Sequence, residues 1–141
     1  MKAWLDHYGW RWLVHRPEEK MFSKQAVVIS TAAGAGMRYA NKDMKDSLSF
    51  WGIPKIYSLG IAVRAVLWNE VKSSVKAKIE RKTSHIADRI KACGIKPRVS
   101  LKGRIFFYAM SIVNRKGGIS SADSEYWKSK GWIEKNRPWK V

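Results

Sequence analysis

A length of 141 residues with 45% hydrophobic residues suits one globular domain with a modest core and excludes a disordered chain. Lys and Arg number 28 against 11 acids, and the net charge of +17 favours anionic partners: nucleic acid, an acidic membrane surface or phosphate-bearing cofactors. One cysteine, Cys93, excludes an intrachain disulfide and a multi-cysteine metal site and fits a reducing, cytoplasmic setting, while His7, His15 and His85 lie far apart without metal-binding spacing, so no metal site is expected.

Residues 2–8 read as the end of a helix, with Trp4, Leu5 and Tyr8 on one side and Gly9 as the stop. A helix without its beginning suggests a chain that starts inside a longer one. Residues 10–24 form a connection in which Trp10, Trp12, Leu13 and Val14 are apolar enough to pack, and His15-Arg16-Pro17 ends regular structure. Glu18 and Glu19 are adjacent and face different ways, so they read as a solvated or helix-start pair and not as an acid–base pair.

The run from Ala26 to Ile29 reads as a fully buried strand, spanning about 24–30. It breaks into small residues with glycines at 34 and 36, and a helical pattern follows. Strand, glycine loop and helix in that order make a cradle for an anionic or flat ligand, because backbone N–H groups point outward and small side chains allow close approach. The helix is expected over 37–51, with Met37, Met44, Leu48 and Trp51 on one face and Gly52 and Pro54 as stops. A second strand is expected over 55–65, from Ile56, Leu59, Ile61 and Val63. A strand, helix and strand joined in this way form one right-handed crossover, so the two strands should be parallel. Two strands alone leave two open sheet edges.

A helix over about 68–93 carries the clearest periodicity. Trp68, Val71, Val75, Ile79, Ile86 and Ile90 mark one stripe, Lys and Arg cover the other faces, and Gly94 closes it. Such a basic amphipathic helix can cover a sheet, lie on a membrane or bind nucleic acid. After Pro97, Leu101, Ile105, Tyr108 and Ile112 repeat at helical spacing, with Phe106, Phe107 and Met110 widening the apolar face. That face requires burial against another body, such as a second subunit. The longest apolar run, 105–113, is broken by Ser111 and is shorter than the roughly 20 residues of a membrane span. A further helix begins near Ser121, with an acidic first turn. The eight tryptophans are expected chiefly as core or interface anchors.

The glycine loop fits neither common nucleotide fingerprint. Tyr39 stands where a dinucleotide loop has its third glycine, no acid ends the next strand, and no Gly-Lys-Ser/Thr follows.

Several stretches together resemble the C-terminal half of the flavodoxin-like NAD(P)H-dependent FMN reductases. They are Met1-Lys2-Ala3-Trp4-Leu5-Asp6-His7, His15-Arg16-Pro17-Glu18, Ser30-Thr31-Ala32-Ala33-Gly34-Ala35-Gly36, Phe50-Trp51-Gly52-Ile53-Pro54, and Tyr126-Trp127 with Gly131-Trp132 and Arg137-Pro138-Trp139. The resemblance covers essentially the whole chain. It implies an α/β, three-layer flavodoxin-like fold, here incomplete: two parallel strands with flanking helices and a helical C-terminal extension. Residues 1–98 would hold the late third helix, fourth strand, fourth helix, fifth strand and fifth helix, and residues 99–141 the extension.

The resemblance further implies FMN as cofactor and NAD(P)H as co-substrate. Ser30, Thr31, Ala32, Ala33, Gly34, Ala35 and Gly36 would line the flavin, and His15 and Arg16 would be candidates for contacts to cofactor or nicotinamide-nucleotide phosphate. No catalytic side chain is expected, since the flavin itself carries the hydride. The family's phosphate loop and its aromatic loop after the third strand have no counterpart here, so the opposite wall of the site would come from a missing N-terminal half or from a homo-oligomer. The alternative function is a non-catalytic binding or assembly module that pairs through open sheet edges and the 101–113 helix. A nucleic-acid or membrane-surface binder rests on charge alone.

Overall fold

The computed structural model describes residues 2–140; Met1 and Val141, which end the expected spans 1–98 and 99–141, lie outside the described residues. The architecture is mixed α/β, with a two-stranded parallel sheet. Helix α1 (Lys2–His7) leads through a 3₁₀ turn (Gly9–Arg11) and a second one (Glu19–Ser23) to strand β1 (Gln25–Ala32). Helix α2 (Met37–Phe50) crosses over to strand β2 (Lys55–Ala62), and the strands pair in register from Gln25 opposite Lys55 to Ala32 opposite Ala62. Helices α3 (Ser73–Cys93), α4 (Leu101–Arg115) and α5 (Ser121–Ser129) complete the chain. The expected 68–93 helix is therefore divided. Trp68–Glu70 is a separate 3₁₀ turn and Trp68 is exposed, so it does not continue the stripe.

Helices lie on both faces of the sheet. On one face α2 sits close, with Met37 pressed against Gly60: a Cβ there would come within 2.9 Å of the Met37 Cβ. Asn41 is buried on the same helix face and its Nδ2 donates to Ser58 Oγ at 3.0 Å. On the other face α3 covers β2, where Tyr57, Leu59 and Ile61 are buried by the two-residue alternation of the strand. The Tyr57 hydroxyl shares its one proton between Gln25 Oε1 at 2.8 Å and the Arg89 carbonyl at 3.2 Å, which ties α3 to both strands.

The expectation of a fully buried first strand is corrected. Val28 is 3% exposed beneath α2, but Val27 is 37% and Ile29 58% exposed on the opposite face. Helix α3 packs over β2 and leaves that face of β1 uncovered. Among the described residues the outer edge of β1 also has no strand beside it, since the sheet order is β1-β2. A run of apolar residues therefore marks the burial a strand calls for, and only the neighbouring elements supply it.

A buried, largely aromatic cluster lies outside the sheet layer. Leu13 and Phe22, from the connection before β1, join Phe107 of α4, Trp127 of α5 and Trp132 of the tail, with Val99, Phe106, Met110 and Trp139 against them. Rings meet mostly edge to face, as between Phe22 and Phe107 at 5.7 Å and between Trp127 and Trp132 at 5.4 Å. The connection thus shares its core with residues 99–139, across the expected boundary at 98. The cluster meets the sheet layer at the C-terminal end of α2, where Leu13 N–H donates to the Phe50 carbonyl and Trp12 stacks on Phe50.

Helix α4 is turned differently from the sequence expectation. The stripe of Leu101, Ile105, Tyr108 and Ile112 faces solvent, and Phe107, Ser111 and Asn114 are buried. Ser111 Oγ donates to the Trp132 carbonyl at 2.8 Å, which satisfies the buried hydroxyl.

Candidate functional site

The glycine loop stands at the carboxyl end of β1. Thr31 and Ala32 belong to the strand, so the loop is shorter than the expected ligand wall and comprises 33–36. Gly36 precedes α2 with φ of +97°, a left-handed conformation that a side chain rarely adopts, and it turns the chain from strand into helix. No atom lies within 4 Å of a Cβ placed at Gly34 or Gly36, and residues 33–36 are exposed. The N–H groups of Gly34, Ala35 and Gly36 have no partner among the described residues. Ser30 is half-buried, and its Oγ donates to the Met37 carbonyl at 3.3 Å, bracing the loop from below. What remains is a row of unengaged backbone donors with small side chains on an open surface, next to the uncovered face of β1. Such a row can hold the polar edge of a flat ring; its only charged neighbour in sequence, Arg38, lies in the first turn of α2.

His15 and Arg16 are not brought to this loop. His15 Nδ1 lies 3.0 Å from Asp123 Oδ2, and Arg16 Nε lies 3.5 Å from Asp123 Oδ1. The His15 carbonyl accepts from the Trp127 indole and the Pro17 carbonyl from the Tyr126 hydroxyl at 2.7 Å. These contacts staple the connection to α5. Leu13 sits at the C-terminal end of α2 and the loop at its N-terminal end. A 14-residue helix separates them by about 21 Å, so His15 and Arg16 hold the aromatic core together and lie at the wrong end of α2 to contact a ligand on residues 30–36.

Asp123 is the residue the sequence reading missed. It is buried in the first turn of α5, where Ser120 Oγ caps its N–H, and its carboxylate meets His15 and Arg16. The acidic first turn was visible in the sequence, but its partner His15 lies 108 residues earlier in the chain, with Arg16 beside it. Glu18 and Glu19 also act separately: Glu18 lies 3.6 Å from Arg11 and Glu19 lies 3.3 Å from Lys130.

Two grooves of about 590 and 580 Å³ open elsewhere, where the amino ends of the strands meet the aromatic core. The first runs between the end of α2, the start of β2 and the first turn of α4, past Lys45, Phe50, Ile56 and Phe106. The glycine loop lines neither groove. Among the described residues no group of His, Cys, Asp and Glu could hold a metal ion, and no helix is long and apolar enough to cross a membrane. Comparison with protein families, with curated proteins and with solved structures gives no match to this chain.

Proposed function

We propose that residues 30–36 form one wall of an FMN site in a flavodoxin-like, NAD(P)H-dependent oxidoreductase of a reducing, cytoplasmic compartment, and that the site is completed by a further polypeptide segment along the outer edge of β1. One observation carries the reading: the unengaged N–H groups of 34–36 stand beside an unpaired strand edge and the exposed side chains of Val27 and Ile29. A strand added to that edge, with the helix after it packed over Val27 and Ile29, would bring its own loop to face residues 33–36. The ring-edge donors fit a flavin; the phosphate would be held by the added segment. When bound, the flavin supplies the hydride chemistry, and this chain's part is to orient the ring edge and favour charge on it through aligned backbone dipoles.

The test is a fluorescence titration of FMN into the chain alone and into the chain mixed with the N-terminal half of a complete flavodoxin-like FMN reductase. The mixture is expected to quench FMN saturably, and Gly34→Val to weaken binding by about tenfold or more, equivalent to ~1.4 kcal/mol. Absence of saturable quenching from both arms would overturn the proposal. The same exposed edge and face favour a second reading, an assembly module without flavin. A discrete oligomer in light scattering whose population FMN leaves unchanged would support that reading instead.

A further inference from the structure

At the amino end of β1, remote from the glycine loop, the groove of about 580 Å³ gathers charge from four separate segments. The 3₁₀ turn before β1 contributes Lys20, the link between α3 and α4 contributes Lys96 and Arg98, the first turn of α4 contributes Arg104, and the tail contributes Lys140. Among the described residues of its lining the one carboxylate, Glu19, is engaged by Lys130. Its floor is apolar and aromatic: Phe22, Val99 and Trp139, with the Arg104 guanidinium 5.9 Å from the Trp139 ring centre.

Scattered lysines on a chain of this charge would need no explanation. Here the four cations Lys20, Arg98, Arg104 and Lys140, from stretches as far apart as residues 20 and 140, converge on one concave surface with an apolar floor. Like charges held together repel, and the arrangement is relieved when a multivalent anion enters. Beside the groove the Tyr108 phenol is pushed below its ordinary value, by its hydrogen bond to Arg137 and by the charges of Arg137, Arg104 and Lys140, against the opposing effect of burial.

We propose that this groove binds an oligophosphate, free or as the tail of a nucleotide. Arg98 and Arg104 present forked donors for phosphate oxygens and the lysines present point charges. The volume lies within the range of small-molecule sites, and Trp139 offers a ring against which a base can rest. Strand β1, with 8 residues, puts the groove roughly 25 Å from the glycine loop, so this ligand is separate from any flavin there.

The test is isothermal titration of the full chain with inorganic tripolyphosphate, ATP and adenosine at about 0.15 M salt. Tripolyphosphate and ATP are expected to bind one to one, and adenosine to give no heat. Tighter binding of ATP assigns the site to a nucleotide, and equal binding assigns it to the free oligophosphate. The double variant Arg98→Glu/Lys140→Glu is expected to weaken binding by about tenfold or more, and Lys78→Glu/Arg81→Glu, on exposed α3 positions, to change it by about twofold or less. Circular dichroism confirms that both variants are folded. Equal losses in the two variants, a stoichiometry above one, or no binding would overturn the proposal. FMN quenching, read in the same samples, is expected to be unaffected by either outcome.

Discussion

Phe107 and Ile105 stand two residues apart on α4 and should respond to truncation in opposite degree. Phe107 is 0% exposed and meets Trp127 at 4.8 Å, Trp139 at 4.9 Å, Trp132 at 5.5 Å and Phe22 at 5.7 Å. Its removal leaves a ring-sized cavity among groups that are themselves pinned by one another, so Phe107→Ala should cost about 3–5 kcal/mol. Ile105 is 60% exposed, so only two fifths of its surface is withdrawn from water. Full burial of such a side chain is worth about 1.5–3 kcal/mol, and Ile105→Ala should accordingly cost about 1 kcal/mol or less.

Urea denaturation followed by circular dichroism and tryptophan fluorescence measures both. The midpoint should fall steeply for Phe107→Ala and barely for Ile105→Ala, with the slope unchanged. A loss of about 3–5 kcal/mol is a large share of the roughly 5–15 kcal/mol that holds a domain together. Phe107→Leu, expected to cost about 1.5 kcal/mol or less, provides a measurable variant if the alanine form does not fold. An Ile105→Ala cost equal to or above that of Phe107→Ala would refute the orientation of α4 and restore the 101–105–108–112 stripe as the buried seam.

Asp123→Ala should lower stability by about 1–3 kcal/mol, because it removes the buried carboxylate that joins His15 and Arg16 to α5. A thermal melt measures this. A changed flavin affinity with an unchanged melt would instead give His15 and Arg16 a ligand role. Ionisation of the tyrosines should spread to either side of about 10. Tyr108 should titrate early because Arg137 donates to its oxygen and Arg137, Arg104 and Lys140 favour the phenolate; Tyr57 and Tyr126 should titrate late because burial disfavours theirs. For Tyr108 the folded state sheds its proton first, so its contribution to stability grows as pH rises toward the unfolded value. For Tyr57 and Tyr126 the folded state keeps its proton longer, so stability falls as pH rises beyond that value. Absorbance titration of the phenolate, native and in urea, reads both effects. An early phase that persists in Tyr108→Phe would refute the assignment.

The order of β1, glycine loop, α2 and β2 was legible because each piece is encoded locally. An apolar run, two glycines, a helical period and the stop at Gly52 and Pro54 lie within about forty residues, and a crossover of that length makes the strands parallel. Asn41 shows how burial escapes such reading. It lies on the Met37–Met44–Leu48 face of α2, but an amide is not an apolar marker, and only the Ser58 hydroxyl opposite accounts for its burial. The sequence leaves His15 a candidate ligand contact because its partner Asp123 is remote in the chain.

The amino-acid sequence by itself determined the order β1, glycine loop, α2 and β2 and the parallel pairing, since these follow from backbone conformation and short-range period. Tertiary structure alone decided which way α4 faces. Helix α4 carries apolar residues on several sides, so periodicity allows more than one inward face, and the choice falls to the side with which Phe22, Trp127 and Trp132 can interlock. The same packing decided that β1 keeps one face open, because α3 lies over β2, and it drew cations from the turn before β1, the start of α4 and the tail around a single groove. Charge sets how many positive groups there are; only the long-range packing of aromatic rings fixes where they converge.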